Sequence, residues 1–403
     1  MNPSAADWIP KFLDGFDKQT LTSNFTDEIS FYLQLKSVGF IYGVSVLTLQ
    51  SKPISHLRLT KEELTKVNLF HTLLFTFFQQ YPEASYNDAI QSTVDFYKNI
   101  EKGKPGFFQK LTLSSSPTSN LEQILAARLQ EANTVLKKNT ASLVTFALLY
   151  ADVLAYREFL KTPKKLKPYL DELESTIVSC CFLALRSKHK KNKYDKQLLE
   201  LFKSSSDYLL GRLNTNQIFT FEGVQYLTEK DILEKKYILD LCILAIHDDH
   251  SIDASEYQFL QQLSILLDFK EEDLQKSIES LRLFSENHKT KIKLFEYSNP
   301  VNQFYKQSSK TVKNLILRNK DRLTKELEES GELVILLGNS AVRELTSEEK
   351  KKVKEQLLDI CKTVPSLTIF LLPGGTILLP LLVKFIPKLL PSSFQDNRID
   401  KKK

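Results

Sequence analysis

The sequence predicts an all-α protein, a multi-helical soluble region followed by a Pro-rich hydrophobic segment, and three observations carry that expectation. Glycine is scarce, 11 of 403 residues, against a usual share of about 7%. Of the 14 prolines, Pro365, Pro373, Pro380, Pro387 and Pro391 crowd into one C-terminal stretch, so the rest of the chain is nearly free of structure breakers and rich in leucine. The balance of 42% hydrophobic and 26% charged residues is that of a globular chain. Sandwiches, barrels and Gly-rich phosphate loops are excluded by the same composition.

Four cysteines, Cys180, Cys181, Cys242 and Cys361, lack CxxC spacing, so reduced thiols are expected rather than a disulfide framework or zinc site. The N-terminus shows no basic region followed by an apolar run, and no signal peptide is expected.

The elements follow in order. Leu64, Val67, Phe70, Leu74 and Phe77 recur at helical spacing, which predicts one buried face. Residues 120–161 do likewise through Leu125, Leu129, Leu136, Leu143, Leu149 and Leu154. Breaks are expected at 102–106, at 114–117 and at Thr162-Pro163. Residues 186–193 hold five basic side chains with only Tyr194 nearby. Stacking on bases needs interleaved aromatics, so no specific DNA partner is expected, and the cluster reads as a solvated loop at a helix C-terminus.

From 229 to 285 a compact helical unit is expected. Tyr237, Leu241, Leu244 and Ala245 give one apolar face, and Phe259, Leu263, Leu266 and Leu267 give the next, across an acidic turn. Asp249, Ile252 and Glu256, with His250 where a glycine is usual, resemble the turn of the tellurite-resistance TerB-like helical domain. The turn allows two roles. Asp248, Asp249, Asp253 and Glu256 are hard oxygen donors suited to a divalent cation, although their spacing is not that of an EF-hand. Alternatively, Asp253 or Ser255 caps the following helix and Glu256 complements its dipole. His247 and His250 lack a third ligand nearby to complete a zinc site.

The pattern then predicts a long helix from 299 to about 337, with Phe304, Val312, Leu315, Ile316, Leu323 and Leu327 as its stripe. Next, Thr346 and Glu349 have capping-box spacing before a lysine-rich helix, SEEKKKVKEQLLDICK. Residues 343–403 carry twelve basic and seven acidic side chains, which is +5 of the chain's net +6.

Residues 364–383 contain no charge at all. Twenty helical residues rise about 30 Å, the thickness of a bilayer's hydrocarbon core. Lys362 lies before this run and Lys384 and Lys388 after it, an arrangement that favours an anionic membrane surface. Pro373, Pro380 and Pro387 are seven residues apart and so share one helical face. Pro373-Gly374-Gly375 would divide the run into two legs of half-bilayer length. The segment is therefore expected to be membrane-associated, with a buried, kinked helix in a soluble bundle as the other reading.

This segment resembles the LETM family, the leucine-zipper and EF-hand transmembrane proteins. Its carriers are Arg343-Glu344-Leu345-Thr346, the lysine-rich helix, the apolar run with Pro365, Pro373, Gly374, Gly375 and Pro380, and the exit through Lys384, Pro387, Leu390, Pro391, Ser392 and Phe394. The resemblance implies a membrane protein, with the bilayer, ribosomes or other membrane proteins, and further copies of itself as partners. A bacterial inner membrane is the implied location, the N-terminal region being cytoplasmic. It also implies ion homeostasis, as a component of cation/proton exchange. Because 364–383 holds no group to relay a proton or bind an ion, a membrane-anchored, non-enzymatic adaptor is the favoured expectation. No Walker loop, GxSxG elbow, HExxH helix or GxGxxG fingerprint is present. Asp152 and Asp240 lie within apolar helical stretches, where a single carboxylate is expected to be a hydrogen-bonded structural residue. No cofactor is expected beyond a divalent cation at the acidic turn.

The organisation expected is a helical region over 1–228, the TerB-like unit over 229–285, a connecting helix over 286–342 and the LETM-like segment over 343–403.

Overall fold

The computed structural model describes residues 1–22, 25, 27–50, 54–55, 59–100, 116–134, 146–189, 191, 196, 199–200, 222–247, 252–288, 309, 312–313, 315–317, 319–363, 367 and 379–390. Among them there are helices and turns and no strand. The chain forms two compact units, one of residues 1–189 with 225–304 and the other of 190–224 with 305–403.

In the first unit the helices are α1 (Trp8–Gly15), α2 (Lys18–Thr22), α3 (Glu28–Ser37), α4 (Lys61–Gln80), α5 (Tyr86–Asn99), α6 (Pro117–Thr134), α7 (Leu149–Lys161), α8 (Leu166–Ser187), α9 (Ile232–Ile246), α10 (Ala254–Leu266) and α11 (Glu271–Asn287). The expected break at Thr162-Pro163 coincides with the end of α7, and Ser116-Pro117 of the break expected at 114–117 with the start of α6, Ser114 and Ser115 lying outside the described residues. Residues 102–106, Leu136 and Leu143 lie outside the described residues.

Helix α4 is the centre of this unit and packs against α2, α5, α6 and α7. Its spacing predicts one buried face, yet nearly every side chain from Val67 to Phe78 is buried. The polar ones are satisfied locally. Thr72 and Thr76 donate to the carbonyls four residues earlier, at 2.7 and 2.8 Å. Asn68 clamps the preceding loop, donating to the Leu47 carbonyl (2.9 Å) and accepting from the Leu49 amide (3.1 Å). Helix α1 begins at Asp7, which has φ 60° and no side-chain cap. Glu122 of α6 supplies the cap instead, accepting from the amides of Ile9 (2.8 Å) and Asp7 (3.0 Å), which satisfies donors a helix start leaves open.

His71 sits on α4 among Phe12, Phe25 and Phe31. Its Nε2 lies 2.9 Å from the Leu21 carbonyl, so this nitrogen carries the proton, and Nδ1 faces Gln50 at 3.4 Å. Burial drives its pKa down to about 4 from an ordinary 6.5. Between those values the unfolded chain binds a proton that the native state refuses. Stability is therefore lost as pH falls from about 6.5 to 4, by roughly 3 kcal/mol at the limit. Urea unfolding at pH 7 and pH 4.5 checks this: His71→Gln should lose roughly 2 kcal/mol less than the parent chain between the two.

Helices α9, α10 and α11 pack on one another, α8 covers α9 and α10, and α3 lies on α9 and α11. The 229–285 segment thus shares its core with helices from the first 190 residues. Arg157 of α7 illustrates this, pairing with Glu28 at the start of α3 (2.7 Å) and with Asp231, the N-cap of α9 (2.7 Å).

The second unit includes α12 (Lys320–Glu329), α13 (Gly331–Ser340), α14 (Ser347–Thr363) and α15 (Leu379–Leu389). Where the stripe predicts one long helix up to 337, the chain breaks at Ser330, whose backbone leaves the helical region (φ −112°, ψ 64°). Ser330-Gly331 is a weak point for helix propagation. The stripe itself still points inward, with Val312, Ile316, Leu323 and Leu327 buried. Phe304 lies outside the described residues.

Candidate functional site

Helix α13 organises the second unit. Its Leu333, Val334, Leu336 and Leu337 are buried, and it packs against α12, α14 and α15. Helix α14 starts with the expected capping box: the Thr346 amide donates to Glu349 (2.8 Å) and the Glu349 amide to the Thr346 hydroxyl (3.3 Å). Arg343 adds a two-pronged contact to Glu349 at 2.8 and 2.5 Å. That hydrogen-bonded guanidinium is the main reason the Glu349 carboxyl falls to about 2. The lysines of α14 are not a bare basic face. Lys352 pairs with Glu332 (2.8 Å) and Lys362 with Asp359 (2.7 Å). Inward, Val353, Leu357, Ile360 and Cys361 are buried, and burial pushes the Cys361 thiol up to about 12.

Of the residues singled out in the apolar segment, Pro380, Lys384 and Pro387 lie in α15, whereas Pro365, Pro373, Gly374, Gly375 and Pro391 lie outside the described residues. Leu379, Leu381, Leu382, Val383, Phe385, Ile386 and Leu390 are all buried. Pro380, Lys384, Pro387 and Lys388 form the outer side, the prolines half-buried and the lysines exposed, as steps of three and four residues require. Lys313 stands over the Phe385 ring, 4.7 Å from its centre.

The prolines cost this helix less than their number implies. Pro380 is its second residue, where an amide would have no helical acceptor anyway. Pro387 alone interrupts the ladder, and the helix resumes behind it with the Leu390 amide donating to the Ile386 carbonyl at 2.9 Å. Eleven residues rise about 16 Å, roughly half a hydrocarbon core. Among the described residues, no helix is long and apolar enough to cross a membrane.

At the acidic turn, Asp248 and Asp249 lie outside the described residues. Asp253 and Glu256 are engaged in a capping box at the start of α10. Asp253 accepts from the Ser255 and Glu256 amides, both at 2.9 Å, and Glu256 accepts from the Asp253 amide at 2.9 Å. The Ser255 hydroxyl, at 2.6 Å, is the main cause of the lowered Asp253 pKa. Among the described residues no group of three or more His, Cys, Asp or Glu side chains is placed to hold a metal ion.

The two carboxylates in apolar helical stretches are structural anchors. Asp152 receives Arg128 through Nε (2.6 Å) and Nη2 (3.1 Å). Asp240 of α9 receives Lys36 Nζ and Tyr32 Oη, each at 2.7 Å, both from α3. The sequence marks Asp240 but not its partners, since Lys36 lies 204 residues away.

Residues 345–403 match the family model described as LETM1-like, RBD. No curated protein and no solved structure matches the chain. The matched stretch takes in α14, the charge-free run and α15, and it supports a LETM-like relationship.

Proposed function

We propose that the chain is a membrane-attached, non-enzymatic adaptor, held to a bilayer through residues 364–391, with its helices carrying the contacts to partners. The observation that carries this reading is the LETM1-like, RBD match over 345–403, a stretch that also contains the chain's 20-residue charge-free run. In this reading the partners are ribosomes or other membrane proteins, and the TerB-like segment at 229–285 is part of the binding platform. Lysines on both sides of the run suit an element with both ends at the cytoplasmic surface of a bacterial inner membrane.

Attachment through α15 exchanges its contacts with α13 for lipid chains. For apolar atoms the exchange is close to neutral, because lipid tails are as apolar as leucine. Cation/proton exchange has less support, since the ionisable side chains of α15 itself are the lysines Lys384 and Lys388, both on its outer side.

An arginine placed in the charge-free run tests the reading. Leu378→Arg should cost about 3 kcal/mol of insertion free energy, and the fraction of full-length protein that floats with phosphatidylglycerol-containing vesicles should fall accordingly. Unchanged flotation would place the attachment elsewhere in the chain.

A further inference from the structure

We propose that the packing of α15 on α13 is a stored, self-covered state of the membrane element, and that its release governs attachment. The proposal rests on the membrane reading above and adds the regulation of that same element. The charge-free run ends inside α15, so Leu379, Leu381, Leu382 and Val383 belong to both. In the second unit these four side chains are 0 to 8% exposed and α15 lies on α13. Without 379–383, the run keeps only 364–378, about 22 Å as a helix against a core of about 30 Å. A full-length span and the packed α15 are therefore mutually exclusive.

The geometry also fits a reversible exchange. Lys384 and Lys388 already face outward, so leaving α13 strips no buried charge. The side chains that leave are aliphatic and aromatic, for which protein and lipid interiors are nearly equivalent. A bilayer that accepts only the released state binds with an affinity reduced by the fraction of molecules released. Contacts on α13 then set membrane affinity without touching lipid.

The test uses the full chain carrying Phe385→Trp, with the unsubstituted chain, whose one tryptophan is Trp8, as background. Flotation and tryptophan emission are measured together, on vesicles of phosphatidylcholine and phosphatidylglycerol with and without brominated acyl chains. The expected result is flotation with quenching of the introduced tryptophan's emission by the brominated lipid. Val334→Ala or Leu337→Ala on α13, checked for helical content by circular dichroism, should tighten apparent binding on the order of tenfold. Flotation without quenching, and without an effect of either α13 variant, overturns the stored-state proposal and leaves the membrane reading standing. Absence of flotation overturns both.

Discussion

Lys36→Met should destabilise the first unit by about 3–5 kcal/mol, the cost of stranding one member of a buried ion pair. Lys36 and Asp240 are each 2% exposed at the side chain and lie 2.7 Å apart. Tyr32 donates to the second Asp240 oxygen and Ser277 lies 3.2 Å from the ammonium. Burial first, and the Asp240 charge second, push the Tyr32 hydroxyl well above its ordinary pKa, so the phenol stays a donor and cannot replace the lost cation. The double variant Lys36→Met with Asp240→Leu should recover most of the loss, because two apolar groups in the same space leave nothing unpaired. Urea midpoints for Lys36→Met, Asp240→Leu and the double variant give the coupling. A single variant that costs less than about 1 kcal/mol would mean the pair is hydrated in solution.

Gly39→Ala is expected to cost about 4 kcal/mol, from strain and collision together. The end of α3 is a Schellman closure. The Gly39 amide donates to the Lys36 carbonyl and the Phe40 amide to the Leu35 carbonyl, both at 2.9 Å. Leu35 and Phe40 are buried, as the hydrophobic contact of that motif requires. Gly39 has φ +86°, and a Cβ there would collide with the Val44 carbonyl oxygen and the Phe284 ring. Gly39→Asn should be no better than Ala, although asparagine tolerates left-handed backbone, because the collision remains. Thermal unfolding distinguishes the two causes: if Asn restores stability, the strain is conformational and the close approach is relieved by movement of both the Val44 carbonyl and the Phe284 ring.

Both sites bear on how much the sequence discloses. The helical class is legible because scarce glycine and repeated three- and four-residue spacing act locally. Local hydrogen-bonding logic is equally readable: Thr346 with Glu349, and Asp253 with Glu256, cap helices where their spacing places them. The Lys36–Asp240 pair is not readable, since long-range partners leave no periodic trace. Helix α4 looks one-faced in sequence because Asn68, Thr72 and Thr76 resemble solvent positions, yet their side chains bond to nearby backbone and are buried. The break at Ser330 is hidden by a stripe that keeps its phase across it.

In the C-terminal segment the sequence marks a charge-free apolar run but not its surroundings. Leucines selected for a lipid interior and leucines selected for a protein core have the same chemistry. Only the folded structure places α15 on α13. The proline spacing is informative in another way, since Pro380 and Pro387 do share one side of α15, the side that carries Lys384 and Lys388.

The central claim, attachment to a membrane through 364–391, is tested most directly by fractionating cells that contain the full-length protein and washing the membranes with high salt and then carbonate. The account predicts that the protein stays in the pellet through both washes. Recovery in the supernatant would contradict it and assign the charge-free run to the core of the second unit.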